Sequence, residues 1–474
     1  MKVRRESSNS DGTHDCRGVP VSYANSEAIG AFAHAHESYL AFRRDPLEEI
    51  DSVIEAHPHF VLAHLFKAAY LTQIMETRVR DELISTVAAA SDLAGNANDR
   101  ELLHLQAVTA WIDGDIDGAV SEWDRALAQF PRDLLALQLV HLTHVLFGNV
   151  AGQRDVVGRV YRFWDESIDG FEFVLGLYAF GLEENREFKR AEQMAMRSLK
   201  MRADNPYAVH ALCHTMDMQG RQAEGLQFMY DHCARWSESE FVVHLWWHTA
   251  LLHLYQQDFE RVLDIYDNKL RRSLDHDDRY EEFDASALLW RLELASVDVG
   301  RRWVELANKW APSAADTLYA FNNVHAMMAF AADSREEEMQ QLLSANEQYV
   351  GRASGSNVAA IRDAGLPFCR GIKAFQSEHY SECVEELLPI RNNAELLGGS
   401  FVQRDIMGWT LLEAALRSGQ YAFALALAAE RCELKPACPQ CWFDMARAHE
   451  GLGEFESAAT ARTRAKTLLT EPIP

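Results

Sequence analysis

Two His-x-x-x-His pairs follow one another closely in the chain, His210 with His214 and His244 with His248. Residues four apart lie on one face of a helix, so each pair places its two imidazoles on the same side. Asp217 follows His214 by three positions and shares its face. Histidine exchanges protons near neutral pH, and a carboxylate can orient it. These five residues are therefore the predicted catalytic, acid–base group.

Further polar and aromatic side chains fall on the same side of neighbouring predicted helices, which is typical of a binding site. Arg291 and Arg404 have the planar charge that suits a carboxylate or phosphate on a ligand. The predicted ligand-binding residues are Trp247, Asp284, Arg291, Asn322, His325, Arg404 and Asp405. Glu183, His104 and Trp111 occupy equivalent positions in earlier helices. The ligand expected from this set is a small, polar, anionic molecule.

Three alternatives remain for the same residues. Four histidines with Asp217 match the ligand types of zinc, but the chain has no HExxH sequence and His-x-x-x-His spacing is common in helices. We therefore assign no metal ligand and predict no cofactor, and zinc stays an alternative. The polar groups could instead bond one helix to another in the interior. A third interpretation is a non-catalytic adaptor or scaffold whose groove binds a peptide or a protein segment.

Three cysteines near the C-terminus, Cys432, Cys438 and Cys441, are a second candidate cluster. Cys438 and Cys441 form a CPQC sequence, which at the start of a helix lowers the pKa of a thiol. The βαβ pattern of a thiol–disulfide oxidoreductase is missing around it. Free thiols in a terminal helical repeat are the favoured interpretation.

Composition restricts the partners. The 474 residues include 46 Lys and Arg against 71 Asp and Glu, a formal charge of −25. Binding to nucleic acid or to an anionic membrane depends on basic residues, so we expect neither partner. A small-molecule ligand or a peptide fits better, and a homo-oligomer is compatible with the sequence. The N-terminus has no apolar segment of a secretory signal, and the eight cysteines are scattered, which favours a cytoplasmic location.

Helical periodicity runs through almost the whole chain and is broken every 12 to 20 residues by short turns. Residues 103–131, LHLQAVTAWIDGDIDGAVSEWDRALAQFP, have the small and aromatic pattern of a tetratricopeptide (TPR) repeat, whose period is about 34 residues. Similar patterns recur at 175–199, 246–266, 408–436 and 442–465. The sequence predicts an all-α fold, an α-solenoid coiled as a right-handed superhelix, without a β-sheet.

We expect residues 1–20 to be a disordered tail and residues 21–470 to form one continuous TPR-like solenoid of about twelve helix pairs. Several segments outside the repeat pattern are similar to the tetratricopeptide repeat protein 38 family. They include AVHALCHTMDMQGRQAEGLQFM (208–229), HLWWHTAL (244–251), RDAGLPFCR (362–370) and LGGSFVQRD (397–405). The resemblance covers nearly the whole chain but not residues 432–442. It implies an architecture and no particular activity.

Overall fold

The computed structural model of the protein describes residues 13–43, 45–271 and 279–469. Of these residues 77% are helical, which confirms the predicted all-α fold. In the described part of the chain no helix combines the length and the apolar character needed to cross a membrane. The part of the predicted tail at residues 1–12 lies outside the described residues.

The chain divides into two compact units. The first takes in the described residues of Met1–Ile74, Arg78–Val140 and Gly158–Phe171. The second takes in those of Met75–Thr77, His141–Val157 and Glu172–Pro474. The single continuous solenoid over residues 21–470 stays a prediction.

The first unit contains the early helix pairs. Its strands are β1 (Thr13–His14) and β2 (Pro20–Val21), and its helices are α1 (Ser26–Leu40), α2 (Pro46–Ala56), α3 (Val61–Ile74), α4 (Arg80–Asp92), α5 (Asp99–Ile112) and α6 (Ile116–Gln129). Helices α7 (Leu134–Leu146) and α8 (Val150–Val160) contain residues of both units. Helices α5 and α6 are the hairpin predicted at 103–131, with Gly114 at a φ of 82° in the turn between them. A positive φ of this kind is accessible to glycine at little cost.

The two short strands differ from the predicted disordered tail. Thr13 pairs with Val21 and His14 with Pro20 in an antiparallel bridge. The Asp15 carboxylate closes the turn between them, because its Oδ1 accepts the backbone N–H groups of residues 17 and 19, both at 2.9 Å. An aspartate side chain that bonds the backbone two residues on is a frequent turn device, which a composition-based reading does not detect.

The second unit contains the remaining helices, except that Phe171, the first residue of the first of them, belongs to the first unit. They are α9 (Phe171–Glu184), α10 (Phe188–Met201), α11 (Pro206–Met218), α12 (Gln222–His232), α13 (Val242–Tyr255), α14 (Phe259–Ile265), α15 (Arg279–Leu294), α16 (Arg302–Trp310), α17 (Ala320–Ala332), α18 (Glu336–Arg352), α19 (Ser356–Ala360), α20 (Leu366–Gln376), α21 (Tyr380–Leu387), α22 (Phe401–Arg417), α23 (Tyr421–Leu434), α24 (Pro439–Gly451) and α25 (Phe455–Leu469).

Several shorter helical turns connect these elements. The 3-10 turns span Thr77–Val79, Ala94–Asn96, Tyr161–Phe163, Ala311–Ser313, Leu388–Ile390 and Ala394–Leu397. Two π-helical turns, Tyr266–Leu270 and Ile361–Gly365, follow α14 and α19.

Helices α11 and α13 contain the four histidines, and both are almost completely buried. Asn205 caps α11 by accepting the N–H of Tyr207, and Pro206 follows at the first helical position. Every residue of α11 is buried, and Trp246 is the one residue of α13 that is not. A polar group in such a helix needs a partner inside the protein, since no water is available to bond it.

Helix α22 begins immediately after a Gly398-Gly399 turn that contacts α7. The Ser400 hydroxyl accepts the N–H of Gln403, and the Gln403 side chain accepts the N–H of Ser400, a reciprocal capping box. Gly398 has a φ of 80°, and a Cβ atom there would lie 1.9 Å from the Leu146 carbonyl oxygen. This contact explains why the LGGS sequence requires glycine before α22.

Candidate metal centre

Three imidazole nitrogens meet in a closed triangle between α11 and α13. The Nε2 atom of His210 lies 3.0 Å from that of His248 and 3.1 Å from that of His244. The Nε2 atoms of His244 and His248 are 3.0 Å apart. All three side chains are buried. The predicted stacking of consecutive first helices therefore brings both histidine pairs to one point.

The fourth histidine lies beside the triangle. His214 Nε2 is 3.1 Å from His248 Nε2, while its Nδ1 is 3.0 Å from Glu183 Oε2 and 3.8 Å from Glu184 Oε1. The described residues contain two groups of potential metal ligands whose ligand atoms lie within 4.8 Å of one another. One is His210, His244 and His248, and the other is Glu183, Glu184 and His214.

A carboxylate and an indole fix the orientation of His244. Its Nδ1 lies 2.7 Å from Asp284 Oδ2 on α15. The Trp247 ring stacks on its imidazole, with ring centroids 5.3 Å apart and an interplanar angle of 14°. Because a carboxylate accepts, His244 Nδ1 has the proton and its Nε2 presents a lone pair to the triangle.

No distribution of protons satisfies the three contacts of the triangle. A hydrogen bond needs one nitrogen with a proton and one with a lone pair. Among three nitrogens that all touch one another, at least two must be alike, so two lone pairs or two N–H groups face each other at about 3 Å. If His210 and His248 both donate to His244, for example, their own two N–H groups collide. A cation bound by three lone pairs removes this conflict.

Burial favours the neutral form of His210, His214 and His248. It lowers the pKa of His210 and that of His248 well below the usual value, and the neighbouring imidazoles lower both further. Burial also lowers the pKa of His214 to about 4, although the Glu184 carboxylate acts in the opposite direction. Neutral imidazoles have the lone pairs that metal binding requires.

The carboxylates around His214 are themselves perturbed. Burial, reinforced by the charge of Asp217, raises the pKa of Glu183 to about 8. Burial and then the neighbouring Glu183 raise the pKa of Glu184. Glu184 is held by Arg404, whose Nη2 lies 3.2 Å from its Oε2, and by the backbone N–H of residue 401 at 2.9 Å.

Asp217, predicted to work with the histidines, has a different partner. Its Oδ2 lies 3.1 Å from the Nζ of Lys435, which is also 3.3 Å from the hydroxyl of Tyr255. Burial opposes the charge of Lys435, but Asp217 and then Tyr255 raise its pKa well above the usual value. Asp217 is thus one half of a buried ion pair next to the centre.

The predicted arginine and aspartate ligands are occupied by protein groups. Arg291 is completely buried and donates to the carbonyl oxygens of residues 287, 402 and 403. Its guanidinium lies 5.4 Å from the Trp247 ring centroid. Asp405 receives two hydrogen bonds from Arg431, at 2.7 and 3.0 Å. Burial opposes the charge of Asp405, but the charge of Arg431 and then that of Lys435 hold its pKa below the usual value.

Asn322 and His325 on α17 have partners away from the four histidines. The Asn322 side chain is half-buried and donates to the Met75 carbonyl at 3.4 Å. His325 is buried and bonds the Phe321 carbonyl of its own helix at 2.7 Å. Their spacing of three was consistent with a shared face, but spacing does not determine which neighbour that face meets.

Sequence reasoning did not select Glu184, Lys435 or Tyr255. Glu184 follows Glu183, which lies on the face predicted to line the site. Its position next to Glu183 could therefore have indicated that it lies near the site. Lys435 is the residue that ends α23, and no periodic pattern connects it with Asp217 on α11.

All eight cysteines are free. Cys432, Cys438 and Cys441 are buried, and they are not among the described groups whose ligand atoms lie within 4.8 Å of one another. Cys438 is the residue immediately before the first turn of α24. Its pKa is lowered by a hydrogen bond from the Cys441 thiol, then by Lys435, against the opposing effect of burial.

No family model matches the chain. Solved structures similar to it include a human IFIT1 dimer with m7Gppp-AAAA, at 12% identity over 95% of this chain and 96% of that one, with a TM-score of 0.38. Yeast Tom70 is similar at 11% identity over 93% of this chain and 92% of that one, with a TM-score of 0.33. Both are TPR-like helical solenoids, and the likeness concerns the fold.

These similarities correct one prediction about partners. We expected no nucleic acid, but the similar structures include IFIT1 with m7Gppp-AAAA and with PPP-AAAA. The expectation was wrong because it used a formal charge of −25 summed over 474 residues. A charge summed over a whole chain does not describe any single surface of it, so it does not exclude a nucleic-acid partner.

Proposed function

We propose that this TPR-like protein binds one divalent transition-metal ion, with zinc as the first choice, through His210, His244 and His248. The observation that carries the proposal is the closed triangle of Nε2 atoms at 3.0, 3.1 and 3.0 Å. Neutral imidazole is a good ligand for zinc, copper, nickel and iron. Three protein ligands with a fourth position for water or substrate is the arrangement of catalytic zinc sites.

The spacing of the nitrogens supports this assignment. Zinc binds imidazole nitrogen at about 2.0–2.1 Å, and a tetrahedral angle then separates two such nitrogens by about 3.3–3.4 Å. The three contacts at 3.0–3.1 Å are shorter than that value by about 0.2–0.4 Å. An ion at this point has to move each nitrogen outward by only a few tenths of an ångström.

The surrounding carboxylate also fits a metal centre. A histidine that binds a metal usually donates its other N–H to a carboxylate or carbonyl, which fixes the ring and increases its basicity. Asp284 has this relationship to His244 at 2.7 Å. A divalent ion would also offset the negative charge that the buried Asp284 carboxylate brings into the interior.

The proposal keeps the acid–base chemistry predicted from the sequence but not the anionic ligand. Acid–base chemistry on a small molecule is retained, and the metal ion is added to it as an electrophile. The anionic nature of the ligand is not retained, since Arg291 and Arg404 both bond protein oxygens. Membership of the tetratricopeptide repeat protein 38 family and a cytoplasmic location stay predictions from the sequence.

The alternative function is an adaptor that binds a protein or peptide and uses the metal to hold α11 and α13 together. The TPR-like fold favours it, because arrays of such hairpins present extended surfaces to partners. The two functions share the metal site and differ in whether the ion reacts with a substrate.

Metal analysis of the tag-free protein tests the proposal. We expect about one zinc per chain after incubation with zinc and gel filtration, by inductively coupled plasma mass spectrometry. His248→Ala should lose this zinc, since His248 contacts the three other imidazoles. His325→Ala is the matched control, because His325 is also buried in the second unit but bonds its own helix. It should keep the zinc.

The proposal fails if the wild-type protein takes up no stoichiometric metal ion, or if His248→Ala retains it as firmly as His325→Ala does. Should His248→Ala unfold, X-ray absorption of the zinc-loaded wild-type protein gives the answer. Fewer than three nitrogen ligands at about 2.0–2.1 Å would refute the site.

A further inference from the structure

We infer that Tyr230, His253 and Asp258 form a nucleophilic triad at the surface of the second unit, which takes the acyl group of a small ester onto the Tyr230 oxygen and passes it to water. The three residues lie on α12, on α13 and immediately before α14. The inference goes beyond the proposed metal site and does not depend on it. The alternative is that the same side chains only hold the three helices together.

The three side chains are joined in the order that a base-activated nucleophile requires. Asp258 Oδ2 lies 3.1 Å from His253 Nδ1, and His253 Nε2 lies 2.9 Å from the Tyr230 hydroxyl. Because the carboxylate accepts, Nδ1 has the proton and Nε2 presents its lone pair to the phenol. The Tyr230 O–H therefore donates to His253, as the serine hydroxyl of a serine–histidine–aspartate triad donates to its histidine.

Exposure separates this triad from the four buried histidines. Tyr230 is 41% exposed and the Asp258 side chain is 43% exposed, whereas the His253 side chain between them is 7% exposed. The Trp246 ring packs against the Tyr230 ring, with centroids 6.0 Å apart. An ester in solution can therefore reach the phenol, while the base beside it is held in a fixed position.

The protonation states also suit this role. Burial lowers the pKa of His253, although Asp258 acts in the opposite direction, so His253 is a neutral base at neutral pH. Burial raises the pKa of Tyr230, while the charge of Arg261 lowers it. A phenol with a raised pKa does not ionise by itself at neutral pH, so it becomes a nucleophile only through a base in contact with it.

The reaction has two balanced steps. In the first, the Tyr230 oxygen bonds to the carbonyl carbon as its proton moves to His253 Nε2, and the leaving oxygen takes that proton and departs as an alcohol. In the second, water attacks the acyl-tyrosine, and His253 takes a proton of the water and returns it to the Tyr230 oxygen as the acid leaves. The sum is ester plus water to acid plus alcohol, without an oxidant or reductant. Asp258 touches no reacting atom and is a positioning residue.

The probe for the test is 4-nitrophenyl acetate, and mass spectrometry of peptides locates the acetyl group. We expect the wild type to be acetylated on Tyr230 and to release 4-nitrophenol continuously. Tyr230→Phe should lose both, and His253→Gln should lower both rates about 100-fold, the usual contribution of a general base. His232→Gln is the matched control and should match the wild type, since His232 lies two residues after Tyr230 but bonds the Phe228 carbonyl of its own helix at 2.8 Å.

Asp258→Asn tests the positioning role and keeps the cap of α14, because asparagine also caps helices well. The charged and titratable groups around His253 are Tyr230, Asp258 and Arg261. Since the charge of Asp258 raises the pKa of His253, its removal should move the midpoint of the acetylation rate to lower pH. Asp231→Asn, at an exposed aspartate of α12, should leave the midpoint unchanged.

The triad is not a nucleophile if Tyr230→Phe releases 4-nitrophenol as fast as the wild type, or if Tyr230 is acetylated as fast in His253→Gln as in the wild type. An acetyl group that stays on Tyr230 without turnover would refute the hydrolysis. Should His253→Gln unfold, the comparison of the wild type with Tyr230→Phe decides, since that variant removes one hydroxyl from a partly exposed residue. Failure of the metal site is recognised separately, by the absence of stoichiometric zinc in the wild type.

Discussion

Lys435 Nζ lies 3.1 Å from Asp217 Oδ2, and each side chain is 5% exposed. The pair joins the end of α23 to α11, the helix that contains His210 and His214. Removing one member of a buried ion pair leaves an uncompensated charge, which costs about 3–5 kcal/mol. We expect Lys435→Met to lower the free energy of unfolding by that amount in urea titrations followed by circular dichroism.

Two further variants control for this prediction. Arg261→Met breaks the exposed pair with Asp264, whose side chains are 53% and 52% exposed, and should cost less than about 1 kcal/mol. Replacing both buried partners, as in Asp217→Val with Lys435→Met, should recover much of the loss. A Lys435→Met protein as stable as Arg261→Met would contradict the prediction.

Asp284 should tune metal affinity without binding the ion. It lies 2.7 Å from Nδ1 of His244, the nitrogen opposite the one in the triangle. Loss of such a carboxylate lowers metal affinity about 10- to 100-fold. We expect Asp284→Asn to shift the competition for zinc with a chromophoric chelator by this factor. Asp444→Asn, a buried aspartate that bonds Gln440 and Arg447, should leave the zinc affinity unchanged. Equal affinities in the two variants would remove Asp284 from the site.

The histidine cluster could be predicted because residues close together in the sequence determine it. A spacing of four fixes two imidazoles on one helix face, and consecutive first helices in a TPR-like array pack side by side. His210 and His244 therefore had to approach each other once both helices were recognised. The same rule predicted that Asp284, one hairpin later, lies on the same side as the histidines, and the structure places its Oδ2 2.7 Å from His244 Nδ1.

The partners of the arginines and of Asp217 were not predictable in this way. Lys435 and Asp217 are 218 positions apart, and Arg404 and Glu184 are 220 apart. Helical periodicity determines which way a side chain points but gives no distance to a helix many hairpins away. The ligand roles predicted for Arg291 and Arg404 assumed free guanidinium groups. The structure instead gives them carbonyl oxygens and Glu184.

A buried ion pair in the first unit should make its stability depend on acid. Asp133 lies 2.7 Å from Arg100 Nε and 2.9 Å from His104 Nε2. Burial alone would raise the pKa of Asp133, but Arg100 and then His104 hold it well below the usual value. A carboxyl group whose pKa is lower in the folded state stabilises that state above its unfolded pKa, about 3.9. The contribution is lost as the pH falls from there through the folded pKa.

We therefore expect Asp133→Asn to destabilise the first unit by about 3–5 kcal/mol at pH 7. The difference between wild type and variant should be constant down to about pH 5 and should shrink below about pH 4. Hydrogen exchange of the α5 and α6 amides measures the stability of this unit separately from the second. A difference that grows as the pH falls would have the wrong sign for a lowered pKa and would refute the interpretation.

Gly398 and Gly453 allow the cost of a backbone clash to be separated from the cost of a left-handed conformation. Both have a positive φ, 80° and 79°. A Cβ atom at residue 398 would lie 1.9 Å from the Leu146 carbonyl oxygen, whereas one at residue 453 has nothing within 4 Å. Gly453→Ala should lower the free energy of unfolding by about 1–2 kcal/mol, which is the cost of the left-handed conformation alone. Gly398→Ala must in addition push α22 away from α7, so we expect a loss above about 3 kcal/mol in the same urea titration. The Gly398→Ala substitution should also weaken the ion pair between Arg404 and Glu184, because Arg404 lies in the first turn of α22. Equal losses in the two variants would show that the Gly398 turn yields freely and does not fix the position of α22.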